Sequence, residues 1–256
     1  MSVDFTALTE LPGLGISEEQ LGRMVTRYGW AGEYCQDKDV VEVGCGGGQG
    51  LQMLSRKARS LVAGDYSDAV LERARKVNPG IELKAFDAQA LPFVDESRDV
   101  ILLFEALYYV PDPMKFFREA ARVLRPGGYL LLATANKDLF DFSPSPHSYS
   151  YLGVAELQSA LNGLGFDCKF FGDVRVDEVS LRQRVLRPVK YLVVHFGLMP
   201  KSLQGKEWLK RLVFGRTLPM PASLDEGMIY TPPTPIDGGA PDRVHKVVLC
   251  AARKPG

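Results

Sequence analysis

Val40-Val41-Glu42-Val43-Gly44-Cys45-Gly46-Gly47-Gly48-Gln49-Gly50 is an apolar, largely β-branched run that breaks into glycine, and Leu51 to Ser55 then resume as a helix start. The pattern is a strand, a tight turn and a helix. Glycines at Gly44, Gly46 and Gly48 allow backbone dihedrals closed to other residues and let a polar or anionic group approach the main chain closely. A nucleotide-type ligand suits such a turn. Counting from Gly44 and Gly46, the third glycine of a Gly-x-Gly-x-x-Gly dinucleotide fingerprint falls on Gln49, so that pattern fails. What stands in its place is Glu42-x-Gly44-x-Gly46-x-Gly48.

Outward from this turn, strand and helix patterns alternate. Upstream, Ser17 with Gln20 forms a capping box, and Leu21, Met24, Val25 and Tyr28 repeat at helical spacing, which predicts a helix over 17–28. Downstream come a strand at 60–65, a helix at 67–77 and a strand at 81–86. The unbroken apolar run over 99–104 has the character of a strand buried on both faces. A helix from Pro111–Pro113 stops before Pro126-Gly127-Gly128, and a strand follows at 129–135. A helix at 154–164 and strands at 166–171 and 245–252 complete the series. The alternation predicts an α/β fold, a doubly wound, mainly parallel seven-stranded sheet with helices on both faces. The interval 174–243 breaks the rhythm. Rich in Arg, Lys and Pro, it reads as a basic lobe inserted before the last strand, with helices near 181–197 and 202–214. The expected organisation is a single domain over 1–256, with 1–36 as an N-terminal helical cap.

Composition excludes several classes of partner. Lys plus Arg and Asp plus Glu are 31 each, so no global field favours nucleic acid or an acidic membrane. Cys35, Cys45, Cys168 and Cys250 include no C-x-x-C, which argues against a zinc site or a disulfide framework and points to a reducing cytoplasmic compartment. No metal is expected. The first residues have neither a basic start nor an apolar core, and no run of about 18 apolar residues occurs, so neither export nor a membrane span is expected.

In open α/β sheets ligands sit beyond the carboxyl ends of the strands. Asp65 ends the second strand about 20 residues past the glycine turn, the spacing at which a carboxylate accepts from ribose hydroxyls. Alternatively it caps the next helix, a task for which Ser67 is better suited. Asp87 and Ala88 end the third strand, where a carboxylate and an amide can meet an adenine edge; an Asx turn is the other reading.

Across residues 38 to about 136 the chain resembles the class I S-adenosylmethionine-dependent methyltransferases of the small-molecule, type 11-like kind. Glu42-x-Gly44-x-Gly46-x-Gly48, Asp65, Asp87-Ala88, the stretch 99–112 and Leu124-Arg-Pro-Gly-Gly through Asn136 carry the resemblance. It implies a Rossmann-like sheet and S-adenosyl-L-methionine as cofactor. It also implies that Glu42, Gly44, Gly46 and Gly48 surround the methionine part, with Cys45 a packing member of that loop rather than a nucleophile. Asp65, with Tyr66 beside it, holds the ribose, Asp87 and Ala88 hold the adenine, and Phe104 and Glu105 line the site from the fourth strand. The chain departs from many relatives in lacking a histidine within Glu105-Ala-Leu-Tyr-Tyr-Val110.

Methyl transfer from a sulfonium is a displacement, and most of its rate comes from holding nucleophile and methyl in line. A hydroxyl acceptor also benefits from a general base. Candidates are Tyr108, Tyr109, Asn136-Lys137-Asp138 and His147, the last in a Pro- and Ser-rich loop. The expected acceptor is a small or lipid-linked molecule, methylated at oxygen. The alternatives are a quinone-like carbon and a non-catalytic cofactor-binding module. Between 181 and 216, Arg182, Arg184, Arg187, Lys190, Lys201, Lys206, Lys210 and Arg211 stand among Tyr191, Phe196, Trp208 and Phe214. Such a segment suits phosphate groups or peripheral contact with an acidic membrane, or is a solvated helical cover. Nucleic acid is not expected, since no recognised binding motif accompanies the patch.

Overall fold

The computed structural model describes residues 15–145, 147–177, 217–224, 227, 228 and 230–256. A short strand, β1 (Gly15–Ser17), leads into α1 (Glu18–Cys35), and Ser17 is its N-cap: its hydroxyl accepts from the Gln20 amide at 3.2 Å, and the Gln20 side chain accepts from the Ser17 amide at 3.0 Å. The helix runs seven residues past Tyr28, the end expected from its spacing. Its last two turns bury Trp30, Ala31 and Cys35, so packing overrides the helix-weakening glycines Gly29 and Gly32.

β2 (Asp39–Val43), α2 (Leu51–Ser55), β3 (Ser60–Asp65), α3 (Asp68–Val77) and β4 (Glu82–Ala85) form the first wound half. Ser67 caps α3, its hydroxyl accepting from the Val70 amide. The second half comprises β5 (Arg98–Phe104), α4 (Pro113–Val123), β6 (Leu124–Ala135), α5 (Val154–Asn162) and β7 (Asp167–Arg175). The Asp112 carboxylate accepts from the Met114 and Lys115 amides, and Pro113 fits the first turn of α4 because it has no N–H to satisfy there. Strand β6 begins at Leu124, five residues before the expected Tyr129; Arg98 pairs with Leu124, and the register then shifts so that Val100 faces Tyr129. Two short strands follow, β8 (Thr217–Pro219) and β9 (Thr234–Ile236), and β10 (His245–Arg253) ends the order.

The main sheet has the order β4-β3-β2-β5-β6-β10-β7-β9. Strands β4, β3, β2, β5 and β6 pair in parallel, and β10 runs antiparallel between β6 and β7. Seven of these strands are those expected from the sequence. The eighth, β9, adds an antiparallel edge against β7, with Pro235 opposite Phe171. An edge position tolerates proline, since one side of such a strand needs no N–H donor. Strand β1 pairs with β8 in a separate ribbon. The helices expected near 181–197 and 202–214, and the basic residues on them, lie outside the described residues.

The strand after the switch explains its own sequence. Ile101 and Leu103 join Phe116, Phe117, Leu157 and Leu161 under α4 and α5, while Val100, Leu102 and Phe104 join Met24, Tyr28 and Trp30 of α1. Both faces of β5 are therefore buried, which is why it carries no polar alternation. Strand order reverses between β2 and β5, and a crevice opens there at the carboxyl edge.

Candidate active site

The glycine turn hangs from β2 over that crevice. Gly44 and Gly48 have φ of 70° and 76°, and a Cβ on Gly44 would stand 2.9 Å from the Ala106 Cβ. The Cys45 amide donates to the Gly64 carbonyl at 3.0 Å, and the Asn78 side chain donates to the Gly48 carbonyl at 3.0 Å, so β3 and α3 fix the turn. Tyr28 of α1 lies across it: a Cβ on Gly50 would collide with the Tyr28 ring, and the Tyr28 hydroxyl donates to Glu42 Oε1 at 2.6 Å.

Burial sets the electrostatics of this corner. Glu42 is 1% exposed, and burial pushes its carboxyl up to about 7 against the opposing Tyr28 hydrogen bond and Arg27 charge. Its Oε2 is buried without a hydrogen-bond partner among the described residues. Burial, reinforced by Glu42 and Asp65, also pushes the Cys45 thiol well up, which suits a packing residue and not a thiolate nucleophile. Burial raises Asp65 as well, against the amides of Ser67 and Gly46 that donate to its two oxygens at 3.0 and 3.1 Å. Asp87 accepts from the Gln89 amide at 2.8 Å, an Asx turn, and still faces the crevice.

The far wall is aromatic. Glu105, directly after β5, has φ of 52°, and its amide donates to the Ala133 carbonyl at 2.8 Å. The Tyr108 hydroxyl donates to Glu105 Oε2 at 3.1 Å; burial, then Glu105, hold that phenol well above its usual range, so it stays protonated. The Tyr108 ring stacks on Tyr151 with centroids 4.4 Å apart, and its carbonyl accepts from the Tyr149 amide at 2.8 Å. The Tyr109 and Ser145 hydroxyls share a short hydrogen bond. These contacts hold the loop after β6 against the crevice.

Together these walls enclose a cavity of about 590 Å³. Of the residues expected from sequence, Gly44, Cys45, Gly46, Asp65, Tyr66, Asp87, Ala88, Phe104, Glu105, Tyr108 and Tyr109 line it. Glu42 and Gly48 stand behind the lining, Glu42 bonded to the Tyr28 hydroxyl and the Gly48 amide donating to the Cys45 carbonyl at 3.0 Å. His147 is exposed on a turn outside the cavity. Sequence reasoning missed Gln20, Arg23, Met24, Arg27 and Tyr28 of α1, and Ser145 and Tyr149 of the loop. A signal was present: Gln20, Arg23 and Arg27 recur at helical spacing, one polar stripe along α1.

A glycine cradle that a side chain would fill, acceptor carboxylates after two strands and a cavity of this size fit a nucleoside carrying a short charged tail. Residues 41–132 match a family model described as a methyltransferase domain. A protein of Mycolicibacterium smegmatis named "Probable S-adenosylmethionine-dependent methyltransferase" is 31% identical over 170 residues, 65% of this chain and 66% of that protein. A Parvibaculum lavamentivorans protein named "Ubiquinone biosynthesis O-methyltransferase" is 30% identical over 156 residues, 59% of this chain and 60% of its own. The chain thus spans slightly under two thirds of the length of these relatives. A SAM dependent methyltransferase from Archaeoglobus fulgidus shares the fold, with a TM-score of 0.57 and 16% identity over 93% of this chain and 95% of that one.

Proposed function

We propose that this chain, which belongs to the class I S-adenosylmethionine-dependent methyltransferases, transfers a methyl group to a hydroxyl oxygen of a small or lipid-linked acceptor. When bound, the cofactor supplies a methyl on a sulfonium that already carries its leaving group. The rest is positioning and exclusion of water by the chain. In this reading Gly44, Cys45 and Gly46 receive the methionine part, with Glu42, Tyr28 and Gly48 setting the shape of the loop. Asp65 and Tyr66 take the ribose, and Asp87 and Ala88 the adenine. Phe104 and Glu105 form the wall shared with the acceptor, and Tyr108 and Tyr109 face that acceptor.

The observation that carries the proposal is the joining of glycine turn, two carboxylate-bearing strand ends and an aromatic wall in one cavity. Transfer at oxygen is supported by the name of the Parvibaculum relative and by hydroxyl-matching groups on the far wall. The whole chain, 1–256, acts as one unit, and the basic segment 181–216 contacts the acceptor or an acidic membrane surface. Incubation with S-adenosylmethionine and separate hydroxyl, amine and quinone acceptors, followed by mass analysis, tests the reaction. One added methyl on a hydroxylated acceptor is expected; transfer confined to carbon or nitrogen overturns the oxygen assignment. For the basic segment, charge reversal at Lys206, Lys210 and Arg211 should abolish activity on a soluble acceptor if it covers the site, and only vesicle binding if it docks.

A further inference from the structure

We propose that the Glu105 carboxylate accepts the proton of a phenolic hydroxyl on the acceptor, with Tyr108 as the residue that positions it; this rests on the methyltransferase reading above. The first observation is conformational. Five described residues other than glycine have positive φ: Asp37, Glu96, Glu105, His147 and Val174. Among them Glu105 alone lines the cavity. A left-handed conformation is unfavourable for a side chain of this size, and here it directly follows the buried run Val100 to Phe104 of β5. The amide of Glu105 is held by the Ala133 carbonyl, which fixes the turn that sends the carboxylate to the wall.

The second observation is the set of proton acceptors. No histidine is among the described residues that line the cavity, and its carboxylates are Asp65, Asp87 and Glu105. Asp65 ends β3 and Asp87 stands two residues past β4, on one side of the glycine turn, and backbone amides donate to both. Glu105 follows β5 on the other side, among Tyr108, Tyr109 and Tyr149, whose rings suit a flat aromatic acceptor. The Tyr108 hydroxyl donates to Glu105 Oε2 at 3.1 Å, which places the carboxylate beside those rings.

The third argument is acidity. A carboxylate is a weak base, yet a phenol near 10 comes within its reach once the oxygen begins to lose charge; an alkanol, about as acidic as water near 15.7, does not. In the step, the acceptor oxygen forms a bond to the methyl carbon, and the carbon–sulfur bond breaks with its electron pair remaining on sulfur. The phenolic proton passes to Glu105, which later releases it to water.

The test uses the full chain, S-adenosylhomocysteine as binding ligand and 4-nitrocatechol as phenolic probe. Calorimetry first fixes the affinity of wild type and of Glu105→Gln for S-adenosylhomocysteine, so that the two proteins are compared at saturation with that ligand. With that ligand bound, the probe's absorbance is titrated against pH. A carboxylate in contact opposes ionisation of the phenol, so the wild-type colour change should lie about one pH unit above that of Glu105→Gln. In turnover with S-adenosylmethionine, Glu105→Gln should lower kcat about 100-fold or more and flatten its pH profile. Tyr108→Phe should move the acid limb of the kcat profile to higher pH, because it removes a donor that favours the charged carboxylate. Identical probe titrations, no binding of the probe beside S-adenosylhomocysteine, or an unmoved acid limb in Tyr108→Phe would each overturn the inference. Failure of the wild type to bind S-adenosylhomocysteine would instead remove the reading beneath it. Should Glu105→Gln not fold, the Tyr108→Phe arm decides.

Discussion

Glu42→Gln should make the ligand-free protein more stable at pH 8 than wild type, although the side chain opens the glycine motif. The wild-type carboxyl is buried and titrates near 7 in place of its ordinary 4.5. A raised pKa means that the folded state holds the proton more tightly than the unfolded chain. The stability this group contributes is therefore full below about pH 4.5 and is lost as pH rises to about 7. The displacement corresponds to about 3 kcal/mol, at about 1.4 kcal/mol per pH unit, and most of it falls between pH 5 and pH 8. Glutamine keeps the shape and still accepts from the Tyr28 hydroxyl, but it never carries the buried charge. Urea unfolding at both pH values is the assay. Relative to wild type, the variant should gain roughly 2–3 kcal/mol from pH 5 to pH 8, about 1 M in urea midpoint for a chain of this size. A difference between the two proteins that stays constant over that range would refute the reasoning.

Gly64→Ala should lose roughly 2–3 kcal/mol in the same assay, because the added Cβ collides with the Phe86 ring and stands 2.6 Å from the Lys84 carbonyl. At the opposite edge of the sheet, Arg59 above all, then Ser60 and Arg125, hold Asp39 well below the usual carboxylate range. A lowered pKa gives stability that is present above about pH 4 and lost below it; since Arg59 is largely exposed, Asp39→Asn should cost only about 1 kcal/mol at pH 7, and that deficit should fade in acid. Gly44→Ala should weaken S-adenosylhomocysteine binding more than tenfold by calorimetry, since its φ of 70° and the nearby Ala106 Cβ leave the loop no place for a side chain.

Much of the site was legible because it is made of strand ends. Apolar runs that stop at Gly44, Asp65, Asp87 and Glu105 fix both the strand and the residue that follows it, and a parallel sheet brings those ends to one edge. What lies over the edge was not legible. Helix α1 presents Gln20, Arg23, Arg27 and Tyr28 to the cavity, a placement set by packing of Trp30 on Phe104 and Phe171, contacts 74 or more positions apart in the chain. The length of α1 was underestimated for a related reason. The apolar spacing ends at Tyr28, and Gly29 beyond it is kept small because the Tyr230 ring fills the space that a Cβ on it would need. The proline-rich stretch around Pro235 reads as loop, and only its edge pairing with β7 makes it a strand. His147 is a histidine in a loop after a strand, yet Tyr109, Tyr149 and Tyr151 anchor that loop through Ser145 and the Tyr108 carbonyl, and the imidazole lies outside the cavity.

The central claim is that this cavity holds S-adenosylmethionine, and thermal unfolding with separate additions of S-adenosylmethionine, S-adenosylhomocysteine and NAD tests it most directly. A ligand at about a hundred times its Kd stabilises the native state by roughly 2.7 kcal/mol, a rise of about 5–10 °C in Tm for a chain of this length. The account predicts that rise for the first two ligands, none for NAD, and a much smaller rise in Asp65→Ala. A rise with NAD alone, or an undiminished response in Asp65→Ala, would contradict it.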